Sequence, residues 1–252
     1  MKEARASHSP TNAPDPSGVA TSHRDVFALQ TIGVSKVFNS AAGRVVALRN
    51  VNFTIRKGEF VSIVGPSGSG KSTLLNLIGA LDKPSSGKVI INGVDVFALR
   101  DLEIATMRNK LIGFIFQSYN LINRATVQRN VELPATISGV DRTERRQRAL
   151  KIMEVLGIKN KARFRPTNLS GGQQQRVAIA RSLMNNPAII LADEPTGNLD
   201  TKTGNEIIAL LKTLSHKFRR TIVVVTHNPE LAAATDRTIY IRDGAIEKEV
   251  SN

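Results

Sequence analysis

Residues 65–72 have the types and spacing needed to hold a phosphorylated ligand. A glycine-rich loop follows the apolar stretch Phe60–Val64 and ends in a lysine and a serine, where a helical pattern begins. Glycines let successive backbone N–H groups point at phosphate oxygens, and the dipole of the following helix favours the same negative charge. Lys71 can neutralise phosphate charge, and the Ser72 hydroxyl suits a magnesium position. The candidate binding residues are Gly65, Pro66, Ser67, Gly68, Ser69, Gly70, Lys71, Ser72 and Thr73.

A second glycine-containing segment, 169–173, also leads directly into a helical stretch. It consists of Leu169, Ser170, Gly171, Gly172 and Gln173. A serine and two glycine N–H groups at a helix start form a second anion site, suited to a terminal phosphate. By chance the first loop would occur in on the order of one chain in a hundred, and this segment in on the order of one in ten thousand. The first loop alone leaves open a Gly/Ser-rich loop without chemistry, but the two together do not.

The two segments resemble the phosphate loop and the signature sequence of the ABC-type ATPases, and the resemblance covers roughly Val26 to Glu249. It implies ATP and Mg²⁺ as cofactors and ATP hydrolysis as the activity. In that family the two half-sites lie too far apart to meet within one subunit. A second ATPase subunit is therefore the expected partner, in a homodimer that packs head to tail around two ATP molecules.

Other residues follow in the order of that family. The stretch 189–194 resembles its buried strand, in which Asp193 reaches the magnesium shell and Glu194 is the candidate general base. The resemblance also implies that Gln117 contacts magnesium and water, and that His227 contacts the γ-phosphate. Taken separately, either acid could merely end a strand. An isolated histidine is usually structural or solvated, and we give that interpretation to His8, His23 and His216.

Two more assignments concern the edges of the nucleotide site. Phe38 stands where the family places an aromatic ring that stacks on adenine, with a core residue at a strand end as the alternative. Asp200, in the sequence Asn198-Leu199-Asp200, matches the loop that communicates across the dimer.

The elements that must position these residues follow from hydrophobic periodicity. Alternation of strands and helices in the last third implies a largely parallel sheet covered on both faces. A capping box of Asp141 and Glu144 is predicted to open a helix that ends at Gly157. Strands are predicted at Phe27–Phe38, Val45–Ile55, Phe60–Val64, Lys88–Asn92, Leu111–Phe116, Ala188–Ala192, Thr221–Thr226 and Thr238–Arg242, with helices after Gly70, through most of 120–182 and around Glu206–Leu214.

The expected fold class is α/β: a P-loop NTPase with a mainly parallel central sheet, an N-terminal antiparallel β subdomain and a helical signature subdomain at about 120–182. Residues 26–252 are expected to form the ATP-binding domain. Residues 1–25, rich in Ser, Pro, Thr and Ala without periodicity, are predicted to be a disordered tail. With no cysteine, disulfides and cysteine-ligated metal sites are excluded. Nothing points to an oxidising compartment, so we expect a cytoplasmic chain. Apolar runs fall far short of the roughly 20 residues of a spanning helix, so the chain is not expected to cross a membrane alone.

The segments 116–121, 130–131 and 196–200 resemble the branch that includes lipoprotein-release, macrolide-export and cell-division ABC ATPases. That branch implies a separate integral-membrane permease subunit, which would hold the chain on the inner face of the cell membrane. A net charge of +14 supports one rival, a non-transport ABC ATPase acting on nucleic acid or ribosomes. Six of these 14 net positive charges arise in 141–166, which has nine cations and three acids, and a solvated helix face is the simpler interpretation of that segment. No nucleic acid partner is expected, and Glu194 with His227 disfavours a regulator that does not hydrolyse ATP.

Overall fold

The computed structural model describes residues 27–40, without the side chain of Ser40, and residues 43–252. The predicted tail at 1–25 lies outside these residues. The strands are β1 (Phe27–Ser40), β2 (Gly43–Arg56), β3 (Phe60–Val64), β4 (Ser86–Ile91), β5 (Val94–Asp95), β6 (Ile112–Ile115), β7 (Ile189–Asp193), β8 (Ile222–Val225), β9 (Arg237–Arg242) and β10 (Ala245–Ser251). The helices are α1 (Lys71–Ile78), α2 (Asp101–Leu111), α3 (Val127–Ile137), α4 (Arg142–Val155), α5 (Gly171–Leu183), α6 (Thr201–His216) and α7 (Pro229–Ala233).

A six-stranded sheet forms the centre, in the order β10-β9-β3-β8-β7-β6. Its strands are parallel except β10, which runs antiparallel to β9. The four residues of β8 are all apolar and buried, which is typical of a strand covered on both faces. Val223 and Val225 pack in the core beneath α1, whereas Ile222 and Val224 pack in the core with α5 and α6. The predicted parallel sheet is confirmed.

A smaller antiparallel sheet covers one face, in the order β2-β1-β4-β5. Alternate residues of its long strands, such as Leu29, Val51 and Ile55, join the core that also contains α1. β1 pairs with β2 in a register that sets Phe38 opposite Val45. This sheet is the predicted N-terminal antiparallel β subdomain.

Helices α3, α4 and α5 fill the predicted helical region. The Asp141 carboxylate caps α4 by accepting hydrogen bonds from the backbone N of Thr143 (2.7 Å) and Glu144 (3.3 Å). The Glu144 carboxylate, however, pairs with Arg148 at 2.5 Å, so only the Asp141 half of the predicted capping box is found. The helix ends at Val155 with Leu156 as its C-cap, two residues before the predicted end at Gly157.

Four elements were not predicted: β5, α2, α7 and β10. In α2 only Met107 is buried, so the helix presents no apolar stripe that periodicity would reveal. β10 is mostly exposed and largely polar. α6 begins five residues before the predicted stretch, at a cap formed by Asp200. Among the described residues, no helix is long and apolar enough to cross a membrane.

Candidate active site

A cavity of about 500 Å³ opens at the edge of the parallel sheet where β3, β7 and β8 end. Parallel strands bring their carboxyl ends to one edge, which is where ligands bind in open α/β sheets. The cavity lining includes most of the predicted phosphate loop together with residues from four other segments, of which residues 45–47 belong to β2. The predicted site residues in the lining are Gly65, Ser67, Gly68, Gly70, Lys71, Ser72, Thr73, Gln117, Asp193, Glu194 and His227.

Glycine is required in this loop for two reasons, which are close packing at some positions and a positive φ at others. A Cβ on Gly65 would lie 2.1 Å from the carbonyl oxygen of Ile241, and one on Gly70 would lie 2.6 Å from that of Ala47. Gly68 has a φ of +79°, which disfavours other residues, but a Cβ there would meet nothing within 4 Å. The loop therefore packs tightly on the protein behind it and leaves open space in front of Gly68. Ser69 is buried within the loop.

Positive charge and unpaired N–H groups converge at the start of α1. Lys71 Nζ donates hydrogen bonds to the carbonyl oxygens of Gly65 (2.9 Å) and Pro66 (2.7 Å), which hold the ammonium beside the loop. No side chain among the described residues caps this helix, whose N-cap is Gly70. An anion such as a nucleotide phosphate fits this arrangement, because it would take up the first-turn N–H groups and the lysine charge together.

The end of β7 places two carboxylates side by side. Burial raises the pKa of Asp193, the negative charge of Glu194 raises it further, and Lys71 partly opposes both effects. A hard cation would stabilise the ionised Asp193. The Ser72 hydroxyl, the Gln117 amide oxygen and the Asp193 carboxylate are oxygen ligands of the kind that Mg²⁺ prefers, so the residues present fit that ion.

Glu194 is oriented by the end of β8. Its Oε1 lies 2.7 Å from His227 Nδ1, and its Oε2 accepts hydrogen bonds from the Thr226 hydroxyl (3.1 Å) and the His227 backbone N–H (3.4 Å). The Glu194 side chain is 15% exposed and that of His227 76%. Glu194 has a φ of +43°, a strained conformation that is concentrated at functional sites. A carboxylate held at two oxygens is suited to accept a proton at a defined position.

Gln117 is held against the segment that leads to α6. Its Nε2 donates to Asn198 Oδ1 (3.2 Å), while Asn198 Nδ2 donates to the Gln117 carbonyl oxygen (2.9 Å). A Cβ on Gly197 would lie 2.8 Å from Gln117 Nε2, so a larger residue there would displace the Gln117 amide from this position. The structure thus joins the predicted Gln117 loop to the predicted Asp200 loop.

The segment predicted to form a second anion site lies apart from this cavity. Ser170 Oγ accepts a hydrogen bond from the Gln173 backbone N–H (3.4 Å), and Gln173 Oε1 accepts one from the Ser170 backbone N–H (3.1 Å), which forms a capping box on α5. Ser170, Gly172 and Gln173 line a different cavity of about 480 Å³, beside Thr203 and Glu206 of α6. Gly171 lies close to the Tyr119 hydroxyl. The structure therefore does not unite the two predicted phosphate-binding segments within one subunit.

Comparison with known proteins identifies the family of this chain. The family described as ABC transporter matches residues 48–197. The chain belongs to the ABC transporter family. It is 52% identical to an uncharacterized ABC transporter ATP-binding protein of Thermotoga maritima, over 87% of this chain and 93% of that protein. It is 48% identical to the macrolide export ATP-binding/permease protein MacB of Brucella melitensis, over 84% of this chain but only 33% of that protein. The resemblance stated from the sequence, including its branch, is confirmed.

Solved structures of similar proteins are ABC transporter cassettes. The dimeric structure of MJ0796, which is a protein of Methanocaldococcus jannaschii, is 48% identical with a TM-score of 0.81, covering 88% of this chain and 98% of that one. A second dimeric MJ0796 structure, of a post-hydrolysis state bound to ADP and Pi, gives the same identity, coverage and TM-score. The fold class is therefore confirmed, and the chain is an ATP-binding subunit of this ABC family.

Two predicted site residues of this ABC subunit lie at the margins. Phe38 is 44% exposed, with Lys36 Nζ 4.9 Å from its ring centroid, and it stands opposite Val45, which lines the first cavity. Asp200 caps α6 by accepting a hydrogen bond from the Thr203 backbone N–H (3.0 Å). Hydrogen bonds from the Thr203 hydroxyl and from that N–H lower the pKa of Asp200.

Two polar residues of α5 that sequence reasoning missed connect the ABC signature helix to the first cavity. Gln175 is fully buried, and its Nε2 donates to the Pro195 carbonyl oxygen (2.8 Å), directly after Glu194. Arg181 donates from Nη2 to the Tyr119 carbonyl oxygen (2.8 Å) and from Nη1 to that of Asn120. In the sequence, both are polar residues among the apolar positions of a helix. Such a pattern does not show whether the side chain is buried or solvated unless the surface on which the helix packs is known.

Proposed function

We propose that this chain is the ATP-hydrolysing motor subunit of an ABC transporter of the export or mechanotransmission type, driving a separate membrane subunit. One observation carries the proposal: a single cavity combines a phosphate-binding loop with a carboxylate that is held at both oxygens by neighbouring groups. Residues 26–252 form the ATP-binding domain in this proposal, with a helical subdomain at about 120–182 and a separate tail at 1–25.

Nucleotide binding uses the charge and N–H groups around α1. Lys71 and the N–H groups of residues 65–73 hold the phosphates, while Phe38 stacks on adenine from the edge of the antiparallel sheet. Ser72, Gln117 and Asp193 would hold Mg²⁺, which neutralises phosphate charge when it is bound. Lys71 must exchange its bonds to the loop carbonyls for bonds to phosphate oxygens, so the ammonium moves only within its own loop.

Hydrolysis is the transfer of the terminal phosphoryl group to water. The water oxygen bonds to the γ-phosphorus, the bond to the bridging oxygen of ADP breaks, and a water proton passes to Glu194. Thr226 and the His227 backbone hold one oxygen of that carboxylate, and the His227 ring contacts the other. In the proposed cycle the His227 ring also contacts the γ-phosphate, so it links the base to the phosphoryl group that is transferred.

A head-to-tail homodimer completes each site. Support comes from the separate cavity of the signature residues and from the dimeric structures of the MJ0796 cassette. Ser170, Gly171, Gly172 and Gln173 of one subunit meet the γ-phosphate that is bound by the other, and Asp200 lies at the contact between them. ATP therefore stabilises the closed dimer, and hydrolysis releases it.

The membrane subunit docks in an apolar groove of about 430 Å³ between α2, α3 and β6. Phe114, Phe116 and Leu133 line it, and Ile137 at its edge is 67% exposed. Gln117 follows Phe116 directly, so a partner in this groove touches the loop that reaches the nucleotide cavity. The chain is accordingly a cytoplasmic protein that is peripheral on the inner face of the cell membrane. The +14 charge favours a second candidate, a non-transport ABC ATPase acting on nucleic acid or ribosomes.

Steady-state ATP hydrolysis with Mg²⁺, measured beside ATP affinity, tests the proposal. We expect Glu194→Gln to bind ATP normally and to lose turnover by about 10²–10⁴-fold, as for removal of a general base. Lys71→Ala should lose affinity for ATP, and Gly204→Ala, on a helix outside the cavity, should retain both properties. Undiminished turnover in the Glu194→Gln variant would disprove the assigned base.

A further inference from the structure

Two segments of the helical region meet in a surface cluster that nucleotide binding does not use. The backbone N of Val127 donates to the Phe164 carbonyl oxygen (2.8 Å), and that of Gln128 to the Ala162 carbonyl oxygen (3.0 Å). These bonds bring the turn before α3 alongside the segment before the signature. We call six exposed residues of the two segments the arginine patch; they are Ile122, Arg124, Arg129, Arg163, Phe164 and Arg165.

The four arginines of the patch carry uncompensated charge. None of them forms an ion pair with an acid in the part of the chain that the structure describes, whereas Arg145 and Arg148 of α4 pair with Glu132 and Glu144. Both segments belong to long stretches without any acidic residue, 104–131 and 155–192. By charge complementarity, an occupant of the patch would be an anionic surface.

Two large apolar side chains stand among these arginines. Ile122 is 46% exposed and Phe164 42%. Cations that surround exposed apolar tips are typical of surfaces that lie at a lipid headgroup boundary, where the charges meet phosphates and the tips reach the acyl region. A single-stranded nucleic acid would instead stack its bases on an aromatic face, whereas Lys161 Nζ lies over the Phe164 ring, 4.6 Å from its centroid, and adds a further cation beside the apolar tip.

The patch is also next to the proposed docking groove. Asn120 lines that groove, and Ile122 and Arg124 follow it in the same loop. A partner that is anchored in the membrane and docked in the groove would bring this loop towards the bilayer. The orientation rests on the proposed function, whereas the charge and the apolar tips do not.

We propose that the arginine patch binds anionic phospholipid headgroups at the membrane surface, so that the subunit makes a direct lipid contact beside its membrane partner. The binding is electrostatic with shallow apolar insertion, and it weakens with salt. Each cation near an anionic leaflet contributes about a fivefold change in binding, so three contribute roughly a hundredfold.

Co-sedimentation of the full chain with vesicles tests this proposal. The probes are phosphatidylcholine vesicles containing about one-third phosphatidylglycerol, which model the anionic leaflet, and pure phosphatidylcholine vesicles. The wild type should bind only the anionic vesicles, and Arg124→Gln/Arg163→Gln/Arg165→Gln should bind them roughly a hundredfold more weakly. Lys57→Gln/Lys212→Gln/Lys217→Gln removes the same charge from exposed positions elsewhere and should bind nearly as the wild type does.

Equal loss in the two triple variants would overturn the proposal, because binding would then follow net charge alone. Binding of the wild type to labelled duplex RNA at matched salt, without binding to anionic vesicles, would overturn it in favour of nucleic acid. Phe164→Ser should weaken vesicle binding at high salt, when charge is screened and insertion remains. ATP turnover without lipid is measured separately, and a failure there would refute the ATPase assignment while leaving the vesicle result intact.

Discussion

Replacing Gly172 with alanine tests the contact between α5 and α6, on which the geometry of the signature depends. A Cβ at this position would lie 2.3 Å from Thr203 Cγ2, more than an ångström inside ordinary contact. Thr203 is β-branched and lies in the first turn of α6, so its methyl cannot easily rotate away. The two helices must therefore separate or the side chain must leave its rotamer.

The magnitude follows from a matched comparison. Overpacking costs about 1–3 kcal/mol, while glycine to alanine in a helix interior gains about 1 kcal/mol from propensity alone. Gly204 is a helical glycine whose added Cβ would lie 3.8 Å from its nearest neighbour, Thr196 Cβ, so Gly204→Ala receives the gain without the clash. Gly172→Ala should consequently be about 1–3 kcal/mol less stable than Gly204→Ala, in urea unfolding followed by circular dichroism.

A second substitution isolates the clash. Thr203→Ser removes Cγ2, and the nearest remaining atoms, Thr203 Cβ and Oγ1, are 3.7 and 4.0 Å from the added Cβ. The double variant should thus recover most of the lost stability and part of the lost ATP turnover. If Gly172→Ala is as stable as Gly204→Ala, or if Thr203→Ser gives no recovery, the packing of α5 on α6 described above is wrong.

Two further substitutions test the buried polar groups. Gln175→Leu removes a donor to Pro195 together with an Oε1 that has no hydrogen-bond partner among the described residues. We therefore expect the free energy of unfolding to change by no more than about 1 kcal/mol, while ATP turnover falls clearly. Turnover as high as that of a Gln174→Leu control would refute the link from Gln175 to Glu194. Because burial and the charge of Glu194 raise the pKa of Asp193, the folded state binds this proton more tightly than the unfolded state, and stability is lost as the pH rises from the ordinary aspartate value of about 4 through the raised pKa. Asp193→Asn should accordingly be more stable than the wild type in urea unfolding at neutral pH, with a difference that narrows as the pH falls towards 4, and a difference independent of pH would contradict the shift.

The sequence predicted the structure best where a motif with a chemical role lies next to a regular hydrophobic pattern. The boundaries of Phe60–Val64 were predicted correctly because an apolar run meets a glycine-rich loop, and the parallel sheet followed from similar runs. α2 was missed because its single buried residue, Met107, gives no period. The roles of the site residues remain predictions, although the structure places Gln117, Asp193, Glu194 and His227 in one cavity.

Other features depend on contacts between distant segments. The bonds from Arg181 to the loop after Gln117 join residues about 60 positions apart, and the bond from Gln175 to Pro195 spans 20. Neither follows from local pattern, because an arginine or glutamine on a helix is equally compatible with solvent. The arginine patch shows the same difficulty: composition locates an excess of positive charge in 141–166, but the structure brings Arg163 together with Arg124 and Arg129, from outside that segment.

Size-exclusion chromatography with light scattering on the Glu194→Gln variant tests the composite site most directly. We expect a monomer without nucleotide and a dimer with ATP, because ATP bound at Lys71 of one subunit is held by the signature of the other while hydrolysis is blocked. Adding Ser170→Arg, which places a bulky cation in the second anion site, should keep the variant monomeric although ATP still binds. A Glu194→Gln variant that binds ATP yet stays monomeric, or a dimer that Ser170→Arg leaves unchanged, would contradict the head-to-tail arrangement.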